Sequence, residues 1–172
     1  MIALLTAVHF HYSTLIVPVF LGLLGRAVKE TRKLPRWYTP VASLFIVSPL
    51  LVAVGITYSK MIEIASVSLY VGCLYLFSIA AIMKFRTNWW IVASAAVLLF
   101  TMSLSFLYAI DMVAIPEMIQ YHGWINGIGF ALIGLIGYFK ENPQTHFSIS
   151  SSSFSKIKGE KRIGVDFFNR HG

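Results

Sequence analysis

The chain has 172 residues, 57% of them hydrophobic and only 12% charged, and its mean hydropathy is +0.73. An ordinary soluble domain has about 25% charged residues, so this composition excludes a water-covered globule and points to a polytopic membrane protein. A single cysteine, Cys73, excludes an intramolecular disulfide framework and a cysteine-built zinc site, and the net charge of +7 lies in loops and a tail, which argues for membrane orientation and against nucleic acid as a partner.

Five segments lack charged residues over a spanning length of roughly 20 residues. They cover 1–25, 37–59, 64–83, 87–110 and 118–139. All are rich in Leu, Ile, Val, Ala and Phe without strict alternation, so the expected fold is all-α: a bundle of five transmembrane helices. The first apolar run has no Lys or Arg before it, so a signal peptide is not expected there. Residues 1–141 are read as the membrane domain. Residues 142–172, with "SISSSSFS" followed by "KIKGEKR", are read as a Ser-rich basic cytoplasmic tail without fixed structure.

The connections set the expected orientation. The first, "RAVKETRKLPR", holds Arg26, Lys29, Arg32, Lys33 and Arg36 against Glu30. The third holds Lys84 and Arg86, and the tail is basic. The second holds Lys60 and Glu63, and the fourth has Asp111 and Glu117 without a base. Basic connections stay on the cytoplasmic side, so the N-terminus is expected outside and the C-terminus inside, in a bacterial cytoplasmic membrane. Aromatic residues sit near both predicted boundaries: Trp37, Tyr38, Trp89, Trp90 and Tyr138 inside, and Tyr58, Tyr108, Tyr121 and Trp124 outside.

The first span carries "TAVHFHYSTLIVPVF", with His9, His11, Tyr12 and Pro18 in an apolar run. On an α-helix, residues two apart point about 200° from each other, so His9 and His11 cannot jointly chelate one metal while the helix is regular. Each instead shares a stripe with other polar groups, so the span is expected among neighbouring helices or along a cavity. Pro18 lacks an N–H and is expected to kink the helix near Thr14. In the fifth span, "QYHGWINGIGF" puts His122 and Asn126 four apart on one face. Gly123 and Gly127 form a G-x-x-x-G pair, continued by Ala131, Gly134 and Gly137. Such small residues let another helix approach closely, within the chain or in a homo-oligomer. With this orientation the polar groups His9, His11, His122, Asn126, Asp111, Glu117, Glu63 and Lys60 collect toward the outer half of the bilayer.

"TAVHFHYS" opening one helix and "HGWINGIGF" in a later one resemble the YndJ-like family of bacterial integral membrane proteins. The resemblance implies that His9, His11, Tyr12, His122 and Asn126 are shared signature positions. It implies no substrate and no cofactor. Members are usually longer, with further helices before the "HFHY" motif, and Ser13, Thr14 and Leu15 depart from the pattern that follows the tyrosine. Two functional classes remain open. One is a transport or proton-coupled component whose histidines line an outward-facing cavity, with flux that changes near an ordinary imidazole pKa of about 6.5. The other is an enzyme or binding protein holding metal or haem through these histidines. A membrane assembly partner is the third, simpler expectation.

Overall fold

A computed structural model describes residues 12–114, 116 and 118–141. Every regular element among them is helical. A π-helical turn, π1 (Tyr12–Ile16), leads into α1 (Val17–Lys29). α2 (Tyr38–Tyr58), α3 (Lys60–Lys84) and α4 (Trp89–Ala109) follow. The last rod combines π2 (Met118–Trp124), π3 (Asn126–Leu132) and α5 (Ile133–Glu141).

Among the described residues, four helices are long and apolar enough to cross a membrane: Tyr38–Tyr58, Lys60–Lys84, Trp89–Ala109 and Gln120–Glu141. At 1.5 Å per residue the 21 residues of α2 reach about 31 Å, the thickness of a bilayer's hydrocarbon core. Residues 1–11 of the expected first span, with His9 and His11, lie outside the described residues, as do Glu117 and the tail from residue 142. The described part of that span continues as helix through Lys29, beyond the expected end at Gly25.

The helices pack mainly on their chain neighbours: α2 on α3, α3 on α4, and α4 on π3 and α5. α1 closes the bundle by touching α2, α3 and α5. Phe20, Leu24, Phe45, Leu74, Phe77, Ile91 and Leu98 are almost fully buried between them. Phe20 of α1 meets Phe130 edge-on at 5.3 Å and Tyr138 at 4.8 Å, which ties the first described helix to the last. The outside is equally apolar. Ile46, Leu50 and Ile56 of α2 and Phe139 of α5 are more than half exposed. Lipid chains are the solvent that suits such a surface.

The second connection is tighter than its sequence suggests. Lys60–Glu63 is expected as a loop, yet it forms the first turn of α3. The whole reversal is made by Ser59 in an extended conformation (φ −161°, ψ 127°). Glu63 lies in that first turn, where its carboxylate complements the positive end of the helix. Lys60 Nζ bonds to Asp111 Oδ1 at 2.7 Å and lies 3.4 Å from Glu63 Oε2. Asp111, at φ 61°, closes the end of α4 in the left-handed region, which Asp tolerates better than most residues. Its side chain is 77% exposed, whereas that of Glu63 is 11% exposed. We therefore expect Lys60→Gln to lower the thermal midpoint more than Asp111→Asn, because it strips the counterion from the sheltered carboxylate. The Asp111 part of the effect is expected to fade in high salt. Equal shifts in a melting experiment on the two variants would contradict this ranking.

At the other end, Asn88 caps α4 by accepting from the Ile91 N–H at 3.4 Å. Its Nδ2 donates to the Gly137 carbonyl and to Glu141 Oε2, both at 3.0 Å. Lys84 Nζ donates to Thr31 Oγ1 at 3.1 Å, joining the first and third connections. These bonds place the first and third connections and the end of α5 at one end of the bundle. Lys60, Glu63 and Asp111 occupy the other.

Two tyrosines expected in an interfacial belt serve as packing residues. Tyr138 is buried against Phe20 and Phe85. Tyr38 turns its hydroxyl inward and donates to the Leu21 carbonyl at 2.5 Å. Trp37 and Trp89 remain exposed, as belt residues should be.

Candidate functional site

The described polar site lies between α4 and the last rod. Thr101 of α4 is fully buried and His122 of π2 is 7% exposed. His122 Nδ1 lies 2.9 Å from the Thr101 carbonyl oxygen. A carbonyl can only accept, so Nδ1 carries the proton and donates. The Thr101 hydroxyl has one proton and three oxygens within reach: Asn126 Oδ1 at 2.6 Å, the Val97 carbonyl at 3.0 Å and the Leu98 carbonyl at 3.2 Å. The shortest contact fixes the direction, with Thr101 Oγ1 donating to Asn126 Oδ1. That orientation turns Asn126 Nδ2 toward the imidazole, 3.4 Å from Nε2 and 3.5 Å from Nδ1. Nδ1 already bears hydrogen, so only Nε2 can accept from the amide. One threonine thus serves both partners, through its backbone oxygen and its hydroxyl.

Local helix geometry brings these groups together. π2 and π3 flank Ile125, so His122 and Asn126 both sit in π-helical turns. The i→i+5 pattern adds a residue to each turn and shifts the phase of all that follows, and such segments recur at functional sites. π1 makes the same local change ahead of Pro18 and packs against π3. Pro18 falls at the start of the regular α1, so the widened turn accommodates the proline and the helix continues through it.

The glycine stripe is only partly what its spacing suggests. A Cβ on Gly134 would stand 2.5 Å from Phe20 Cε2 and 2.7 Å from Ser94 Oγ. A Cβ on Gly137 would stand 2.7 Å from Ile91 Cγ1 and 2.9 Å from the Ile91 nitrogen. Both glycines allow close packing inside the chain. Gly123, by contrast, has open space at its Cβ position. Gly129, outside the expected stripe, faces Val97. Gly129 and Gly134 lie five apart, the i→i+5 spacing of the π-helical segment, and both face α4.

Of the sequence-predicted residues, the structure joins His122 and Asn126 and adds Thr101. In "LLFTMSLSF" three hydroxyl residues occur within five positions, Thr101, Ser103 and Ser105, and nothing in the sequence selects the first. Ser103 instead meets the Tyr75 hydroxyl at 2.6 Å. Asp111 pairs with Lys60 and takes no part in the histidine cluster. Tyr12 is described only through its backbone, and His9, His11 and Glu117 lie outside the described residues. Among the described residues no group of three His, Cys, Asp or Glu side chains converges as a metal site would. A shallow, open depression of about 480 Å³, lined by Leu104, Met112, Val113, Ala114 and Tyr121, adjoins the start of the last rod.

Long apolar helices with lipid-compatible exteriors and a polar cluster buried between two of them define a helical integral membrane protein. The chain belongs to the YndJ-like family, whose description, "YndJ-like protein", it matches over residues 1–130. It is 38% identical over 177 residues to the uncharacterized membrane protein YndJ of Bacillus subtilis (strain 168). That similarity covers 97% of this chain and 32% of the relative, so the chain spans about a third of the relative's length. No solved structure matches the chain.

Proposed function

We propose that the protein is a proton-coupled or solute-transport component, with the His122–Thr101–Asn126 cluster forming part of its pathway. The observation that carries this reading is an ionisable imidazole buried between membrane-length helices whose other buried side chains carry no charge. Ionisable groups in membrane spans are costly, and such a residue is by default the starting point for a pathway hypothesis. The cluster also has a chemical consequence on protonation. Neutral His122 accepts at Nε2 and donates at Nδ1. A second proton on Nε2 abolishes that acceptor and sets it against the Asn126 amide hydrogens. Turning the amide over relieves the clash, but it presents Nδ2 to the Thr101 hydroxyl. Thr101 must then redirect its proton to the Val97 or Leu98 carbonyl, both already within 3.2 Å. Protonation of one ring is thereby coupled to the contact between α4 and the last rod.

The remaining reading completes this proposal: five spans, N-terminus outside, C-terminus inside, in the bacterial cytoplasmic membrane. It is supported by the grouping of the basic connections at one end of the bundle and of Lys60, Glu63 and Asp111 at the other. In proteoliposomes loaded with a pH-sensitive dye, an imposed proton gradient should collapse faster with the wild-type chain than with His122→Ala. The variant is expected to approach protein-free vesicles. Equal rates for the two correctly folded proteins would remove the transport reading.

A further inference from the structure

We infer that the end of the bundle formed by the first and third connections is a binding site for anionic phospholipid headgroups, centred on Lys29, Lys84 and Arg86. This inference stands apart from the transport reading and from which leaflet the site faces. Among the described residues, seven bases besides Arg26 gather at this end, Lys29, Arg32, Lys33, Arg36, Lys84, Arg86 and Lys140, against two acids, Glu30 and Glu141. Glu141 Oε2 accepts from Asn88 Nδ2. The ion pairs found among the described residues both involve Lys60, at the opposite end. Lys29 and Arg86 are exposed, and the Lys84 ammonium is anchored to the neutral Thr31 hydroxyl.

The helix ends add to this field. α2 and α4 both begin here, and neither has an acidic residue in its first turn to offset the positive end of its dipole. The Lys84–Thr31 bond draws the two basic connections together, so the charges form one surface. Three tryptophans set its depth. Trp37 and Trp89 are exposed beside it, and Trp90 stacks on Trp89 at 4.0 Å with the Lys140 ammonium 5.2 Å over its ring. Indole rings settle at the level of the headgroups. Lys29, Lys84 and Arg86, held at that depth with no ion pair among the described residues, meet phosphates as their nearest counter-charge, and such clusters select anionic lipids.

The chain's own fluorescence can test this. Three of its four tryptophans, Trp37, Trp89 and Trp90, report on the basic end, and Trp124→Phe removes the fourth. This background is reconstituted into phosphatidylcholine vesicles with a minor fraction of brominated lipid, either phosphatidylglycerol or phosphatidylcholine. Brominated phosphatidylglycerol should quench well beyond its mole fraction, and brominated phosphatidylcholine in proportion to it. Lys84→Gln with Arg86→Gln should cut the enrichment by about tenfold, given a few-fold preference per base. Lys60→Gln, at the other end, should leave it unchanged, with helical content checked by circular dichroism. Added inorganic phosphate at constant ionic strength should not restore the fluorescence. Equal quenching by the two brominated lipids in the wild-type background would overturn the inference, and it involves no basic-end variant. Displacement by inorganic phosphate would also overturn it, by showing a free-anion site.

Discussion

Gly55→Ala is expected to destabilise the protein by about 1–3 kcal/mol, the usual cost of forcing atoms into a packed contact. The α2–α3 reversal uses one extended residue, Ser59, so the two helices meet almost at once. Gly55 lies where they touch. A Cβ there would stand 2.5 Å from both the Cα and the nitrogen of Glu63 and 2.9 Å from the Ile62 carbonyl carbon. These are backbone atoms of a helix and cannot swing aside as a side-chain tip would. The two helices would have to separate, which also disturbs the Lys60–Glu63 pair beside the turn. Gly72→Ala is the internal control, because nothing stands within 4 Å of its Cβ position. There the gain in helix propensity, up to about 1 kcal/mol, should leave stability equal or raised. Thermal unfolding of both variants in detergent reads the difference, and matching midpoints would refute the close approach.

The second large effect belongs to the Thr101–Asn126 bond. Thr101→Val should cost about 1–3 kcal/mol, since it leaves a sheltered amide oxygen without its donor. Asn126→Leu removes the other partner. A double-mutant cycle isolates the bond itself, and hydrogen bonds between membrane helices average about 0.6 kcal/mol with an upper value near 1.7. A coupling energy in that range is expected. Additivity of the two variants would mean that the hydroxyl uses the Val97 or Leu98 carbonyl, and the proposed coupling of His122 protonation to α4 through Asn126 would fail with it. The cycle leaves the Thr101 carbonyl in place, so the His122 Nδ1 bond should survive in each variant. The bond to His122 is therefore separable from the one to Asn126.

The histidine and asparagine of the site were legible because four residues of a helix bring a side chain back to nearly the same face. Their partner was not legible. Thr101, Ser103 and Ser105 are chemically similar, and which of them turns toward the last rod depends on the rotation of α4 against it. Gly55 was equally hidden, because its neighbours are Ile62 and Glu63 of another helix. The glycine stripe shows a subtler limit. Regular α-helical spacing selects Gly123, yet its Cβ position is open, and Gly129 of a π-helical segment is the glycine that meets Val97. Pro18 was visible as an interruption, but its accommodation by π1 required the backbone itself.

Composition, hydropathy and the "HFHY" and "HGWINGIGF" motifs by themselves determined a helical membrane protein of the YndJ-like family. The reason is physical: a bilayer imposes one length and one polarity on every spanning segment, and both can be read along a single strand of residues. Charge in the connections went further and grouped the ends, because successive spans must alternate in direction. Only the tertiary structure decided that Thr101 bridges His122 and Asn126, that Glu63 is sheltered beside Gly55, and that Tyr38 and Tyr138 pack inward. Each of those outcomes depends on the rotation and height of one helix against another, which is settled by contacts between residues far apart in the chain.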